Sequence, residues 1–242
     1  MNTETWDRIA ARRSAGDAIT AQTVIYGRDL PTDDELRLCG DVTGKRVLDV
    51  GCGAGENAIV LASQGAHVIA LDASKAQLAL ARKLADAAER RVEWHESDAC
   101  DLAFLRADSI DLALAIGVIG EIEDLDRLFR QVHRVLRPNA AFVFSFDHPM
   151  ALAVGREGAT PGALPLGALE VRRSYFDAGP VEVLRNDEPI RVIPRTIADV
   201  FAALHRAGYR AEVLVEPAPL RSDDPGPTIP TAVIWRARKE GV

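Results

Sequence analysis

The stretch Val47-Leu-Asp-Val-Gly-Cys-Gly-Ala-Gly55 decides the fold of this chain. An apolar run that carries Asp49 ends in three glycines at alternate positions, Gly51, Gly53 and Gly55. Glycine has no Cβ and adopts positive φ readily, so a strand that ends in glycines and leads into a helix lets the backbone approach a ligand closely. In an open α/β sheet such a turn lies at the carboxyl end of a strand, where small ligands bind. The sequence therefore predicts a ligand site at this turn.

Strand-like and helical patterns alternate around the turn. Apolar runs predict five strands, at 46–49, 67–71, 92–96, 110–116 and 140–146. Apolar spacings of three and four, together with capping signals such as Thr32 with Glu35 and Ser74 with Gln77, predict helices near 6–13, 32–38, 56–64, 74–88 and 125–136. This alternation predicts an α/β fold with a doubly wound, Rossmann-like parallel sheet and helices on both faces.

The pattern changes in the second half of the chain. Residues 149–194 are rich in proline and glycine and predict an insertion, with short strands near 169–173 and 181–184. Regularity returns in a helix after Thr196 and in two strands near 211–216 and 231–238, joined by a proline-rich loop at 217–230. The apolar residues of that helix predict one buried face, formed by Ile197, Val200, Phe201 and Leu204.

Length, charge and cysteine content narrow the function class. A chain of 242 residues fits one domain, 1–242. We divide it into a helical cap (1–43), a ligand-binding core (44–148), the insertion over a substrate pocket (149–194) and a C-terminal helix with strands (195–242). The chain has no signal peptide or membrane-spanning run, which predicts a cytoplasmic protein without membrane contact. Three unpaired cysteines predict no structural disulfide and no metal site, and a net charge of −7 disfavours a nucleic-acid partner.

The glycine spacing and the acids that follow it limit the ligand. The dinucleotide fingerprint is G-x-G-x-x-G, but here the third glycine comes one position early and Glu56 takes its place. An acidic residue there opposes a pyrophosphate and suits a ligand that carries an ammonium group. Asp72 ends the second predicted strand, where its carboxylate can accept both ribose hydroxyls. Asp98 follows the third strand and can accept a hydrogen bond from an adenine amine.

Three strand-end acids at this spacing resemble the class I S-adenosylmethionine-dependent methyltransferases. The stretch from Leu48 to Gly55 resembles the family's first motif, Asp72 its ribose-binding acid and Asp98-Ala99 its adenine-binding pair. Leu136-Arg-Pro138 resembles the turn before the fifth strand, and Asn139 there can take the positive φ of the usual glycine. The resemblance covers roughly 44–148. It implies S-adenosylmethionine as cofactor and a seven-stranded sheet, mostly parallel, with an antiparallel strand near the C-terminus.

The resemblance also implies a set of cofactor-binding residues. Tyr26 and Arg28 would meet the methionine carboxylate, and the carbonyls of Ile116 and Gly117 the methionine ammonium. The full set is Tyr26, Arg28, Asp49, Gly51, Cys52, Gly53, Gly55, Asp72, Ala73, Ser97, Asp98, Ala99, Ile116 and Gly117. Simpler roles stay open: packing for the glycines and Cys52, a solvated loop for Asp98, and a surface arm for Tyr26 and Arg28.

The acceptor is predicted to be a small organic molecule of bacterial secondary or quinone metabolism. Ala115-Ile-Gly-Val118 replaces the N/D-P-P-Y/F motif of enzymes that methylate planar nitrogens, which disfavours DNA and RNA. His148 is the first candidate for a general base, Tyr175 a candidate wall of the acceptor pocket, and Glu121 an exposed alternative. Two other functions stay open, a non-catalytic or regulatory protein that binds the same cofactor and a nucleotide-dependent oxidoreductase. A homodimer also stays open.

Overall fold

The computed structural model describes residues 2–13, 19, 21–155, 170–218 and 229–241. Its strands, in chain order, are β1 (Arg46–Val50), β2 (His67–Asp72), β3 (Glu93–Glu96), β4 (Ile110–Ile116), β5 (Leu136–Asp147), β6 (Val154–Gly155), β7 (Glu170–Val171), β8 (Val181–Arg185), β9 (Glu188–Val192), β10 (Tyr209–Val215) and β11 (Ala232–Lys239). Its helices are α1 (Thr3–Arg12), α2 (Asp33–Leu36), α3 (Glu56–Ser63), α4 (Lys75–Ala87), α5 (Leu125–Val135), α6 (Pro149–Ala153) and α7 (Ile197–Arg206), with a 3₁₀ turn at Ile119–Glu121. Among the described residues, no helix is long and apolar enough to cross a membrane.

Seven strands form the central sheet in the order β10-β11-β5-β4-β1-β2-β3. Strand β11 runs antiparallel to both of its neighbours, and the pairs among β1 to β5 are parallel. This arrangement confirms the predicted doubly wound sheet with an antiparallel strand near the C-terminus. The order reverses between β1 and β4, so the carboxyl ends of these strands open a crevice for a ligand.

Strand β5 begins four residues earlier than predicted. Ile110 of β4 pairs with Leu136 and Leu112 pairs with Ala141, so the residues between these pairs bulge out of the ladder. Pro138 is tolerated in this bulge because the ladder needs no N–H from it. Asn139 takes a φ of 64°, the positive value expected at this turn.

Helices pack on both faces of the sheet. The apolar stripe of α5, with Leu128, Phe129 and Val132, is fully buried against one face together with Val200 and Leu204 of α7. Phe201 was predicted on the same buried face, but its side chain is 55% exposed. The prediction was wrong because Phe201 borders a groove between α7 and the edge strand β10 rather than the core.

The described part of the insertion contains two strands that the sequence did not predict, β6 and β9. β8 and β9 form an antiparallel hairpin, closed by Asn186 and Asp187, which both have positive φ. The buried side chains Val183 and Ile190 pack against Ile9 of α1. Residues 156–169, and the centre of the predicted 217–230 loop, lie outside the described part of the chain.

The N-terminal helix docks on the start of α4. Ser74 caps α4 through the Gln77 amide, as predicted, with Oγ accepting at 3.0 Å. The Gln77 side chain was expected to complete a capping box, but it instead donates to the carbonyl of Trp6 at 3.2 Å. The carboxylate of Asp7 accepts a hydrogen bond from Ser74 Oγ at 2.5 Å. These contacts hold α1 over the carboxyl end of the sheet.

Candidate active site

A cavity of about 600 Å³ lies at the carboxyl ends of β1, β2 and β4. Its size is that of small-molecule sites. The described residues that line it come from the glycine turn, the ends of these strands, the loop after β3, α1 and the tip of the β8–β9 hairpin. The structure therefore brings the three strand-end acids, Asp49, Asp72 and Asp98, to one space.

Asp72 ties the glycine turn to the second strand. Its Oδ2 accepts the backbone N–H of Gly53 and its Oδ1 that of Ser74, both at 2.8 Å. Each oxygen keeps a further lone pair for a ligand. Burial raises the pKa of this carboxyl, and the hydrogen bonds from the backbone oppose the rise. Asp98, by contrast, is exposed, and its Oδ1 accepts from the backbone N–H of Cys100 at 2.7 Å.

Asp49 is a buried carboxyl without a hydrogen-bond partner for Oδ2 among the described residues. Burial, and secondly the charge of Asp72, raise its pKa to about 7. A buried carboxylate is costly unless a positive charge lies nearby. Behind the glycine turn, Asp49 thus provides a negative charge suited to a cationic ligand.

The glycines serve different purposes. A Cβ on Gly53 would meet only Gln77, at 3.9 Å, and one on Gly117 nothing within 4 Å, so both positions leave space for a ligand. Gly51 lines the cavity with a φ of 68°, and a Cβ there would collide with Val118. Gly55 lies outside the lining and packs against the Trp94 ring, so a packing role replaces the predicted cofactor contact.

The remaining predicted cofactor contacts divide in the same way. Arg28, from the segment before β1, lines the cavity, as do the residues at or just after strand ends, namely Cys52, Ala73, Ser97, Ala99, Ile116 and Gly117. Tyr26 does not. Its ring is buried, and its hydroxyl donates to Asp33 at 2.5 Å. Burial raises the pKa of the Cys52 thiol well above its ordinary value, which suits a packing residue rather than a nucleophile.

Two of the three catalytic candidates lie elsewhere. His148 is buried; its Nδ1 accepts the Met150 amide at 3.1 Å, and its Nε2 lies 2.8 Å from Glu216. It therefore caps α6, and both ring nitrogens are engaged away from the cavity. Tyr175 lies in the groove between α7 and β10, where its hydroxyl accepts the Ile197 amide at 3.4 Å. Neither residue is among those lining the cavity, so the geometry does not support the roles predicted for them.

Glu121 is the candidate that lines the cavity. It was predicted to be exposed, but it is only partly accessible. Its carboxylate accepts from Asn2 Nδ2 at 2.7 Å and from Trp6 Nε1 at 2.9 Å. Burial raises the pKa of Glu121, although these two hydrogen bonds oppose the rise.

Sequence reasoning missed the residues that close the cavity. α1 contributes Trp6, its flanking residues Asn2 and Arg13 also line the cavity, and the hairpin tip contributes Arg185 and Asn186. Two signals could have indicated them. Trp6 and Ile9 lie three apart on one helical face, and Asn-Asp is typical of a two-residue hairpin turn.

Comparisons with known proteins agree with this geometry. Residues 48–144 match the family model described as a methyltransferase domain. The chain is 37% identical over 125 residues to the demethylmenaquinone methyltransferase of Clavibacter sepedonicus, covering 50% of this chain and 49% of that protein. It is 33% identical over 102 residues to the ubiquinone biosynthesis O-methyltransferase of Hahella chejuensis, covering 42% and 43%. The chain therefore spans about half the length of these curated relatives.

A solved structure extends the similarity over most of the chain. The S-adenosylmethionine-dependent methyltransferase of Mesorhizobium loti superposes with a TM-score of 0.67 at 29% identity, covering 85% of this chain and 96% of that one. Residues 48–144 therefore form a methyltransferase domain, within a fold similar to that of a class I S-adenosylmethionine-dependent methyltransferase. These similarities support S-adenosylmethionine as the cofactor and disfavour the oxidoreductase alternative.

The residues that line the cavity fit this cofactor. A sulfonium and an ammonium make the ligand cationic, and the unpaired carboxyl of Asp49 and the acids Asp72 and Asp98 provide negative charge. Glu56, where a dinucleotide site has glycine, is paired with Arg13 at 2.7 Å. The space beside Gly53 and Gly117 lets a ligand lie against the backbone.

The buried Asp49 predicts a pH dependence. Because its pKa is raised to about 7 in the folded chain, the carboxylate that attracts the cofactor forms only as pH rises through that value. We expect titration calorimetry to show S-adenosylmethionine binding several-fold more tightly at about pH 8 than at about pH 6.

An Asp49→Asn variant tests the cause. It should bind weakly at both pH values and lose the dependence. At about pH 8 its free energy of unfolding should rise by about 1 to 2 kcal/mol, because ionising a carboxyl whose pKa is raised in the folded state destabilises that state. A variant that kept the wild-type pH dependence would contradict this role for Asp49.

The different surroundings of Gly53 and Gly55 predict that one substitution affects mainly ligand binding and the other mainly stability. Gly55→Ala puts a methyl into the Trp94 ring and should lower the free energy of unfolding by about 2 to 3 kcal/mol. Gly53→Ala, at a φ of 54°, should cost about 1 kcal/mol of stability, but its methyl points into open space beside the ligand.

Urea unfolding and S-adenosylhomocysteine titration of both variants measure these effects. Gly53→Ala should weaken binding more than Gly55→Ala. The reverse order would contradict the division of roles between the two glycines.

Proposed function

We propose that this protein transfers the methyl group of S-adenosylmethionine to a small organic acceptor of quinone-type or secondary metabolism. The observation that carries the proposal is that one cavity is lined both by the three strand-end acids and by a second group of residues from α1, the segment after β4 and the β8–β9 hairpin. We assign this second group, which includes Trp6, Val118, Ile122, Glu121 and Arg185, to an acceptor chamber. An apolar chamber with few charged groups is typical of sites for small organic molecules.

The chain's own residues position the cofactor. Asp72 would accept the ribose hydroxyls, Asp98 would accept from the adenine amine, and the carbonyls of Ile116 and Gly117 would accept from the ammonium group. Arg28 would pair with the methionine carboxylate. When bound, the cofactor supplies an electrophilic methyl group on a sulfonium sulfur. The protein's contribution is to place an acceptor atom in line with that methyl group and to exclude water.

Glu121 is the proposed general base of this chamber. A carboxylate can take a proton from an acceptor hydroxyl or ammonium group as methylation proceeds. Burial raises the pKa of Glu121 and makes it a stronger base than an exposed glutamate. Asn2 and Trp6 hold its carboxylate in place from α1.

The proposal also covers the organisation and location of the protein: one methyltransferase domain, in the cytoplasm. It further states that the substrate is not a nucleic acid, which the net charge of −7 supports. The similarity to quinone methyltransferases supports the acceptor class. A homodimer stays open.

Incubating the protein with bacterial metabolite extracts and methyl-deuterated S-adenosylmethionine tests the proposal. Mass spectrometry should find a product that is heavier by one labelled methyl group and absent without the protein. If the protein binds S-adenosylhomocysteine but no bacterial extract yields a labelled product, the result would favour the non-catalytic alternative.

A further inference from the structure

The tip of the β8–β9 hairpin contributes Arg185 and Asn186 to the lining of the cavity. Asn186 and Asp187 have φ values of 49° and 63°, the positive pair of a two-residue hairpin turn that matches the twist of the strands. This turn places Arg185 and Asn186 among the cavity-lining residues. The insertion thus brings a guanidinium group to the acceptor chamber.

The hairpin is firmly held. Arg8 of α1 pairs with Glu188 at 3.0 Å, and Arg12 pairs with the same carboxylate. Asn2 Oδ1 accepts the Arg191 amide at 3.0 Å, and the Ile193 amide donates to the Gly120 carbonyl at 2.6 Å. Arg185 is therefore presented by a packed element, so less side-chain ordering is needed when a ligand binds.

The guanidinium of Arg185 has donors to spare. Its Nη2 pairs with Asp147 at the end of β5, and its Nη1 donates to the Leu184 carbonyl at 3.4 Å. Among the described residues these are its partners, which leaves three of five N–H donors for a ligand. The side chain is 38% exposed at the cavity. A guanidinium binds oxygen anions through paired N–H groups.

We infer that Arg185 determines specificity for an acceptor that carries an anionic oxygen group, such as a carboxylate, beside the hydroxyl to be methylated. This inference rests on the proposed function, because it assigns the acceptor chamber. Asp147 and Glu121 would repel such an anion without Arg185, so its binding depends steeply on this side chain.

Methyl transfer to such an acceptor breaks two bonds and forms two. The hydroxyl O–H bond breaks and its proton passes to the Glu121 carboxylate. The oxygen forms a bond to the methyl carbon as the carbon–sulfur bond breaks, and S-adenosylhomocysteine leaves. Glu121 then releases the proton to solvent.

Titration calorimetry on the protein–S-adenosylhomocysteine complex tests the inference. The probes are 4-hydroxybenzoate and 3,4-dihydroxybenzoate, each compared with its neutral amide. Wild type should bind at least one acid more tightly than its amide. Arg185→Gln should weaken binding of that acid about tenfold or more, because a charge-assisted pair is lost, and leave amide binding unchanged.

Asp147→Asn is the matched control, because it breaks the same ion pair and keeps the guanidinium. It should retain acid binding, while its loss of thermal stability should equal that of Arg185→Gln. The inference is overturned if both variants lose acid binding equally, if acid and amide bind alike, or if no acid binds. Such results, with S-adenosylhomocysteine binding and methyl transfer in extracts intact, would leave the proposed function standing.

Discussion

Replacing Asp72 with alanine should weaken the binding of S-adenosylhomocysteine about 100-fold or more. The carboxylate is expected to accept both ribose hydroxyls, and hydrogen bonds to a charged group contribute about 1.5 to 3 kcal/mol each. The same change frees the N–H groups of Gly53 and Ser74, which each donate to Asp72 at 2.8 Å, so the glycine turn loses its tie to β2. Titration calorimetry measures the affinity directly.

Glu96→Ala is the control for this prediction. Glu96 pairs in register with Asp72 on the neighbouring strand, but it pairs with Lys75 at 3.5 Å and is not among the cavity-lining residues. Its loss should leave the affinity unchanged. Unchanged affinity in a folded Asp72→Ala variant would show that the ribose lies elsewhere.

Replacing Glu121 with glutamine should lower kcat for the acceptor about 100-fold or more, the usual effect of losing a general base. The amide oxygen can still accept from Asn2 and Trp6, so α1 should stay in place and cofactor affinity should not change. In wild type, the acidic limb of the kcat/KM profile should lie above the ordinary glutamate pKa of 4.5, because burial raises the pKa of Glu121. The variant should lose this limb.

Glu123→Gln is the matched control two residues away. Glu123 is exposed, pairs with Arg191 at 3.5 Å and is not among the cavity-lining residues. It should keep wild-type kcat and the same pH profile. Equal rates in the Glu121 and Glu123 variants, measured on the acceptor found by isotope labelling, would remove Glu121 from the mechanism.

That the strand-end residues assigned to the cofactor line one cavity could be predicted from sequence, because their positions depend on local order. Gly51 and Gly53, Asp72 and Asp98 each end or follow a strand, and parallel strands bring their carboxyl ends to one edge. Spacing along the chain therefore translates directly into neighbourhood in space. The position of Asp49 could be predicted for the same reason. Only the structure showed that its Oδ2 has no hydrogen-bond partner among the described residues.

The acceptor half could not be predicted, because distant segments fold back to build it. Trp6 and Arg185 are far apart in sequence, and only the packing of α1 on the hairpin brings them to one cavity. His148 was misplaced for a local reason that the sequence does contain. Pro149 follows it, and proline is favoured at the first position of a helix, which makes the preceding residue a cap.

A crystal structure with S-adenosylhomocysteine tests the central claim most directly. We expect the ribose hydroxyls on Asp72, the adenine amine at Asp98 and the sulfur facing the chamber between Glu121 and Arg185. A ligand bound outside this cavity, or carboxylates that point away from it, would contradict the account.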